Sequence, residues 1–513
     1  MRQSHLLIMN TVIIWLTRML RIVPELILVP FLIRTIGESG YGVYTLAWSL
    51  MMSVEMLDMG LQSGVIKHIA AMAAQKQLLE VNKVISTAFV NSLILGMIGG
   101  TVIIATTAFL DGQVAGLAYS VVTVGIMVLF VAPLSPYIGV VLSQQRHYVN
   151  ALAETISKYV ILVSVVLWYK LVGPSVEALM VISASAIVSA KLAQIPIAYR
   201  LVPGLQNRLG LFNWRAFKLL TSFAVMIVLC TLCSVAHNTG VRWLMASLVS
   251  MGFVAHLAII LIPGRLLSQI VQAMTLPVMP AASKYQAVED CQMLQELFIR
   301  GIRYCFLVVM ATMIVAILLM RRLLEVWVGT EYAFLAVYAI VIFGSVAFQM
   351  SSSCAHHMLR GMGKLRVSFI TSMVGHAIVP IGMILAIWLI WRKPYVAAVA
   401  GVAGGNVVFG LMQTIFCANA LNVRYTELAW RAYGGALVTA IPASALALAC
   451  ATYTGLESLM GRMSLAILSV LLFYAGFGAF FSTPRERMQV KHAWHVMVRR
   501  TASLRQRLAA YTR

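Results

Sequence analysis

Apolar runs of about 20 residues, the length an α-helix needs to cross a bilayer's hydrocarbon, recur along this chain from Ile8 to Phe481. No stretch between them is long enough to hold a separate soluble domain. Charged residues make up only 11% of the 513, where soluble chains carry roughly 25%, and the mean hydropathy is +0.91. The pattern reads as an all-α polytopic membrane protein.

Fourteen transmembrane helices are expected, over roughly 10–33, 43–65, 84–109, 118–142, 153–169, 177–199, 216–236, 243–264, 301–320, 333–355, 367–391, 395–419, 432–451 and 463–482. Turn chemistry marks many of the breaks, as in Gly37-Glu38-Ser39-Gly40, Asp111-Gly112, Gly173-Pro174 and Gly361-Met362-Gly363. The first run lacks a small-residue cleavage site and is interrupted by Arg18, Arg21 and Glu25, so it reads as a retained span rather than a signal peptide.

The net charge of +22 would point to nucleic acid in a soluble chain. Here its distribution decides otherwise. With both termini on the cytoplasmic side, the inward segments hold 24 Lys and Arg, Arg265 and Lys284 among them. The outward side holds 8: Arg34, Lys170, Arg242, Arg321, Arg322, Arg392, Lys393 and Arg462. That asymmetry orients the chain and removes nucleic acid as a partner. The basic tail 483–513, with Trp494, Val496, Val498 and Leu504 interleaved, is either a solvated charge run or a segment drawn to anionic lipid.

Ionisable groups within spans cost free energy unless they face a cavity or a partner. The first helix carries Arg18, Arg21 and Glu25, and the second carries Glu55 and Asp58. Arg21 and Glu25 share a face, with Arg18 about one turn earlier. Helical rise places Arg21 and Glu55 near mid-membrane and Asp58 beside Arg18. Two readings stand: a salt-bridge network holding the two helices together, or groups that line a wet cavity and meet an anionic substrate or a coupling ion. Pro24 permits a kink between the charges. Lys191, near Gln194 and Pro196, either joins a cavity or snorkels to the interface. His256 and His376 lie in spans, and His356 and His357 read as interfacial. Cys230 and Cys233 form a CxxC in mid-span, away from the water that redox chemistry needs. No catalytic group, metal or cofactor is expected.

Six helices reach about residue 200 and six more about residue 420, which is compatible with parallel repeats working by alternating access. The expected division is an N-terminal six-helix lobe (1–205), a C-terminal six-helix lobe (206–425), two additional helices (426–482) and the tail.

Four strings carry a resemblance. They are Pro30-Phe31-Leu32-Ile33-Arg34-Thr35-Ile36-Gly37 with Gly40-Tyr41-Gly42-Val43-Tyr44; Leu57-Asp58-Met59-Gly60-Leu61 with Gly64; Pro263-Gly264-Arg265-Leu266 leading to Leu276-Pro277-Val278-Met279-Pro280; and Leu359-Arg360-Gly361-Met362-Gly363-Lys364. In order and placement the chain resembles the polysaccharide-transporter branch of the multidrug/oligosaccharidyl-lipid/polysaccharide exporter superfamily, the Wzx-type flippases. The resemblance implies a multi-pass protein of the bacterial inner membrane, both termini cytoplasmic. It would move an undecaprenyl-pyrophosphate-linked oligosaccharide to the outer leaflet for lipopolysaccharide or exopolysaccharide biosynthesis. It also implies a cationic cavity whose arginines correspond to Arg18 and Arg21, coupling to a proton or sodium gradient, and functional coupling to glycosyltransferases and a polymerase. A diphosphate needs charge-assisted donors, whereas Glu25, Glu55 and Asp58 oppose a strongly cationic site. The alternatives are a cation-coupled multidrug exporter of the same superfamily and a membrane glycan polymerase or ligase. The short outward loops speak against such an enzyme.

Overall fold

The first helix, α1 (Arg2–Ala74), runs for 73 residues but is two limbs joined at Gly37, whose φ of 71° and ψ of 175° suit glycine. The computed structural model describes residues 2–74, 77–109, 116–275, 277–453 and 458–482. The basic tail lies outside them, as do the side chains of Glu55 and Asp58. Among the described residues there is no strand.

Four helices follow in the first half: α2 (Leu78–Ala108), α3 (Leu117–Ser143), α4 (His147–Leu171) and α5 (Val176–Leu201). Next, α6 (Trp214–Val235) passes through a π-helical turn, Ala236–Gly240, into α7 (Val241–Leu248). Then come α8 (Met251–Thr275) and the short α9 (Val278–Ala287). The remaining helices are α10 (Cys291–Trp327), α11 (Leu335–Gly361), α12 (Leu365–Trp391), α13 (Pro394–Ala420), α14 (Tyr425–Tyr453) and α15 (Leu459–Phe480). Several start on side-chain caps: Ser175 accepts from the Ala178 amide, Asn213 from Arg215 and Ala216, and Asp290 from Met293. Among the described residues eleven helices are long and apolar enough to cross a membrane. Neither limb of α1 nor the α6–α7 rod is among those eleven.

Two expected boundaries are corrected. The break expected after residue 236 is a π-turn within a continuous rod, and the chain interrupts its helix at Val249 and Ser250 instead. Those two residues carry no strong turn signal. Helix α8 then continues to Thr275, so Arg265 is not in a cytoplasmic loop but near the middle of a helix. The polar Arg265 and Gln269 had cut the apolar window short. Arg242, likewise expected in an outward loop, lies in the first turn of α7.

The buried side chains show how the halves meet. Toward the Gly37 end one apolar cluster mixes Leu28, Leu32 and Tyr41 of α1 with Ile161 and Leu179 of the first half and Leu257, Leu324, Ala339 and Ile384 of the second. Toward the opposite end the described core separates. Val65, Ile69, Val84, Ile85, Val140 and Ala198 form a cluster of first-half residues, and Phe298, Ile302, Met358 and Leu359 belong to one of second-half residues. Gly42 makes the shared end possible, since a Cβ there would stand 1.9 Å from the Met251 carbonyl oxygen. Helices α14 and α15 pack on α10 through small residues such as Ala440, Ala443 and Ala447 together with Phe473. Ile441, Leu471 and Phe480 stay exposed on their outer faces, as suits helices bordering lipid.

Candidate functional site

The site begins with two prolines in α1. Proline has no N–H, so it leaves the carbonyl four residues earlier without its helical partner. Pro24 frees the Leu20 carbonyl, and the Tyr159 hydroxyl of α4 donates to it at 3.0 Å. Pro30 frees the Leu26 carbonyl, and the Trp327 indole at the end of α10 donates to it at 2.7 Å. One freed carbonyl is served by each half of the chain.

The charges divide in the same way. Arg21 donates to the Glu154 carboxylate of α4, while Glu25 accepts from Arg265 of α8. Arg18 reaches the Gln269 carbonyl of α8 at 3.1 Å and lines a small pocket with Met19, Ile22, Leu266, Gln269 and Ile270. Glu154 is held further by Asn150, whose amide donates to it at 2.8 Å, and Gln194 donates to Asn150 at 3.3 Å. The described seam thus sets three guanidiniums against two carboxylates. Arg265 and Glu154 are 45% and 48% exposed, so these pairs are accessible to an incoming ligand rather than sealed. A guanidinium is a planar fork that binds phosphate as readily as carboxylate.

Arg18, Arg21 and Glu25 lie along one stretch of α1, with partners that the sequence did not point to. Their described partners include Glu154 and Arg265; the side chains of Glu55 and Asp58, which were expected beside them, lie outside the described residues. Lys191 lies just before the turn at Ala193 and Gln194 within α5, and Gln194 is the residue that reaches toward Glu154, through Asn150. The signal for α8 was present: Arg265 and Gln269 are four apart on one face. Pro263-Gly264 just before them read as a break. His356, expected at the interface, is half-buried with Nδ1 enclosed and its ring 5.6 Å from Phe409.

At the Gly37 end a polar network crosses between the halves. Glu38 accepts from the Tyr332 hydroxyl at 2.8 Å, and His256 Nε2 lies 3.2 Å from the same oxygen. His256 Nδ1 pairs with the Tyr395 hydroxyl at 2.6 Å, and the Tyr395 ring stacks on Tyr338. Burial pushes the Glu38 carboxyl up, but Tyr332 and His256 outweigh it and hold the group below its ordinary range. Among the described residues no group of three His, Cys, Asp or Glu is placed to hold a metal ion.

No family model and no curated protein matches the sequence. Solved structures do match. An inward-facing multidrug resistance MATE family transporter of the MOP superfamily aligns with a TM-score of 0.64 at 14% identity, over 80% of this chain and 98% of its own. The lipid II flippase MurJ, in an inward closed conformation, aligns with a TM-score of 0.67 at 12% identity, over 92% of this chain and 98% of its own. An outward-facing MATE family transporter reaches 0.59 at 14% identity, over 80% of this chain and 95% of its own. The chain has the fold that these MATE transporters and the MurJ flippase share.

Proposed function

We propose that the chain is an alternating-access carrier whose halves move about α1, and that its substrate is an undecaprenyl-pyrophosphate-linked oligosaccharide passed from the cytoplasmic to the outer leaflet. The observation that carries this reading is the division of α1. Its charges and its freed carbonyls are shared between the halves, while among the described residues the core common to both lies toward the Gly37 end. With the two limbs of α1 and the α6–α7 rod counted as spans, fourteen helices result, both termini lie inside, and Gly37 is at the outer face. The chain then forms two six-helix lobes, 1–205 and 206–425, closed outside. A better fit to the inward-facing than to the outward-facing MATE structure, 0.64 against 0.59, agrees.

Two features favour the lipid-linked substrate. Among the described residues the seam holds one arginine more than it has carboxylates, and a pyrophosphate accepts from such forks. The MurJ match also extends over about 60 more residues than the MATE matches, the size of α14 and α15 together. A second reading, a cation-coupled multidrug exporter, is favoured by Glu25 and Glu154, which neutralise two of the three arginines, and by the recurrence of MATE transporters among the similar structures.

Reconstitution in liposomes separates the two readings. Transport of a defined lipid-linked oligosaccharide, lost in Arg18→Ala, is expected. Transport of a cationic drug alone would move the chain to the second reading, and transport of neither would overturn both.

A further inference from the structure

Two π-helical turns lie side by side in this fold, Ala236–Gly240 between α6 and α7 and Met373–Ile378 within α12. Such a turn strains the hydrogen-bond ladder and is frequently found at functional sites. Each turn delivers one histidine. The rings of His237 and His376 are 5.1 Å apart between centroids, and both side chains are buried.

Their hydrogen bonds are incomplete in an informative way. The Gln349 amide nitrogen donates to His376 Nε2 at 2.9 Å. With the amide turned this way, Nε2 of His376 accepts and the ring hydrogen lies on Nδ1. That Nδ1 is buried without a partner, and so is Nδ1 of His237. Asn406 of α13 lies within hydrogen-bonding reach of His237 and donates to Ser345 at 3.1 Å. Phe409 stacks on the His376 ring at 4.0 Å. Gly375 permits that approach, since a Cβ there would stand 2.8 Å from the Phe409 backbone nitrogen.

Of the titratable groups on neighbouring elements, His356 of α11 interacts with His376, with His357 and Arg360 beside His356, and Cys230 and Cys233 precede the first π-turn on α6. From α1 the turn receives hydroxyls: Thr239 pairs with Ser53 at 2.7 Å and donates to the Ser49 carbonyl at 2.9 Å. Among the described residues no carboxylate faces the pair. Hard metal cations require oxygen ligands, most often carboxylates, whereas a neutral imidazole offers a nitrogen lone pair to a proton.

We propose that His237 and His376 form the proton-binding site of the carrier, holding one proton between them; this rests on the transport reading above. The proton enters from one aqueous face, binds an imidazole lone pair as a new N–H, and leaves from the same nitrogen to the other face. The lone pair stays on nitrogen throughout. Repulsion between the two rings restricts the pair to a single proton. Protonation of His376 Nε2 turns an acceptor into a donor, so the Gln349 amide must rotate to present its oxygen. The change reaches α1 through the same π-turn, by the Thr239–Ser53 contact.

The full-length protein in nanodiscs, labelled with ¹⁵N-histidine, tests this directly. His237 and His376 are expected to share a single titration step that both rings report, a second proton binding only at lower pH. In His237→Gln the remaining ring is expected to titrate alone, at a pH displaced from that of the shared step. Gln349→Leu, which keeps both rings, is expected to move the shared step and serves if the histidine variants do not fold. In pyranine-loaded proteoliposomes, His376→Gln is expected to lose proton movement at least tenfold, and His147→Gln to retain it. Rings that stay neutral over the whole pH range of folding, or proton movement surviving in His376→Gln, would overturn the site. The titration needs no substrate, so failure to transport either candidate would overturn the carrier reading alone.

Discussion

The charged seam on α1 and the histidine pair between α6 and α12 solve opposite problems. In the seam, Arg21 and Glu25 each have a full-charge partner, and those partners are accessible. In the pair, two uncharged rings are enclosed, and each keeps a ring nitrogen without a partner. Accessible ion pairs contribute at most about 1 kcal/mol and exchange partners readily. A buried polar atom without a partner costs about 1–3 kcal/mol, which is tolerable where the atom is put to use. The seam is thus suited to trading a carboxylate for a larger anion, and the pair to taking a single small cation.

The sharpest way to break this contrast is Arg21→Ala. Transport is expected to fall more than tenfold while membrane abundance, read by immunoblot, stays near wild type. If abundance falls together with transport, the seam is structural and the contrast collapses.

Gly42→Leu attacks the closed end instead. Its Cβ would collide with the Met251 carbonyl, and overpacking of this kind costs about 1–3 kcal/mol or more. A clear drop in the thermal unfolding midpoint in detergent is expected. An unchanged midpoint would mean that α1 and α8 are not held together there.

A finer probe uses Glu38. Its carboxyl is held below its ordinary range by Tyr332 and His256 against the opposing effect of burial. A depressed carboxyl contributes stability that is present above its unfolded pKa and is lost as pH falls through its folded one. Wild type is therefore expected to exceed Glu38→Gln in thermal stability at neutral pH, with the gap closing in acid. A gap that widens in acid would remove Glu38 from the latch. The smallest effect belongs to Trp327→Phe and Tyr159→Phe, each expected to cost about 1 kcal/mol, the worth of one hydrogen bond. Similar losses from both would confirm that the halves hold α1 evenly.

The helices were legible because apolar runs of spanning length leave few alternatives, and Arg18, Arg21 and Glu25 stood out as charges inside such a run. Arg265 was hidden because Pro263-Gly264 imitates a helix end, although a helix packed among neighbours tolerates both residues. Glu154, at the start of the helix expected over 153–169, was not singled out, since only the packing of α4 against α1 reveals its partner. His237 fell in an expected loop. A π-turn inserts one residue without any signature in composition, so neither that histidine nor its facing of His376 was visible before the helices were packed.

One consequence of Pro24 and Pro30 concerns how α1 yields under load. A helix normally resists flexing because each bend stretches rungs of its own ladder. In α1 two rungs are already missing, and side chains from different halves have taken their places. Flexing at Pro24 stretches no rung of the ladder there but releases Tyr159, and flexing at Pro30 releases Trp327. The rod has two pre-cut joints, each fastened to a different side, so detaching one half leaves the grip of the other intact.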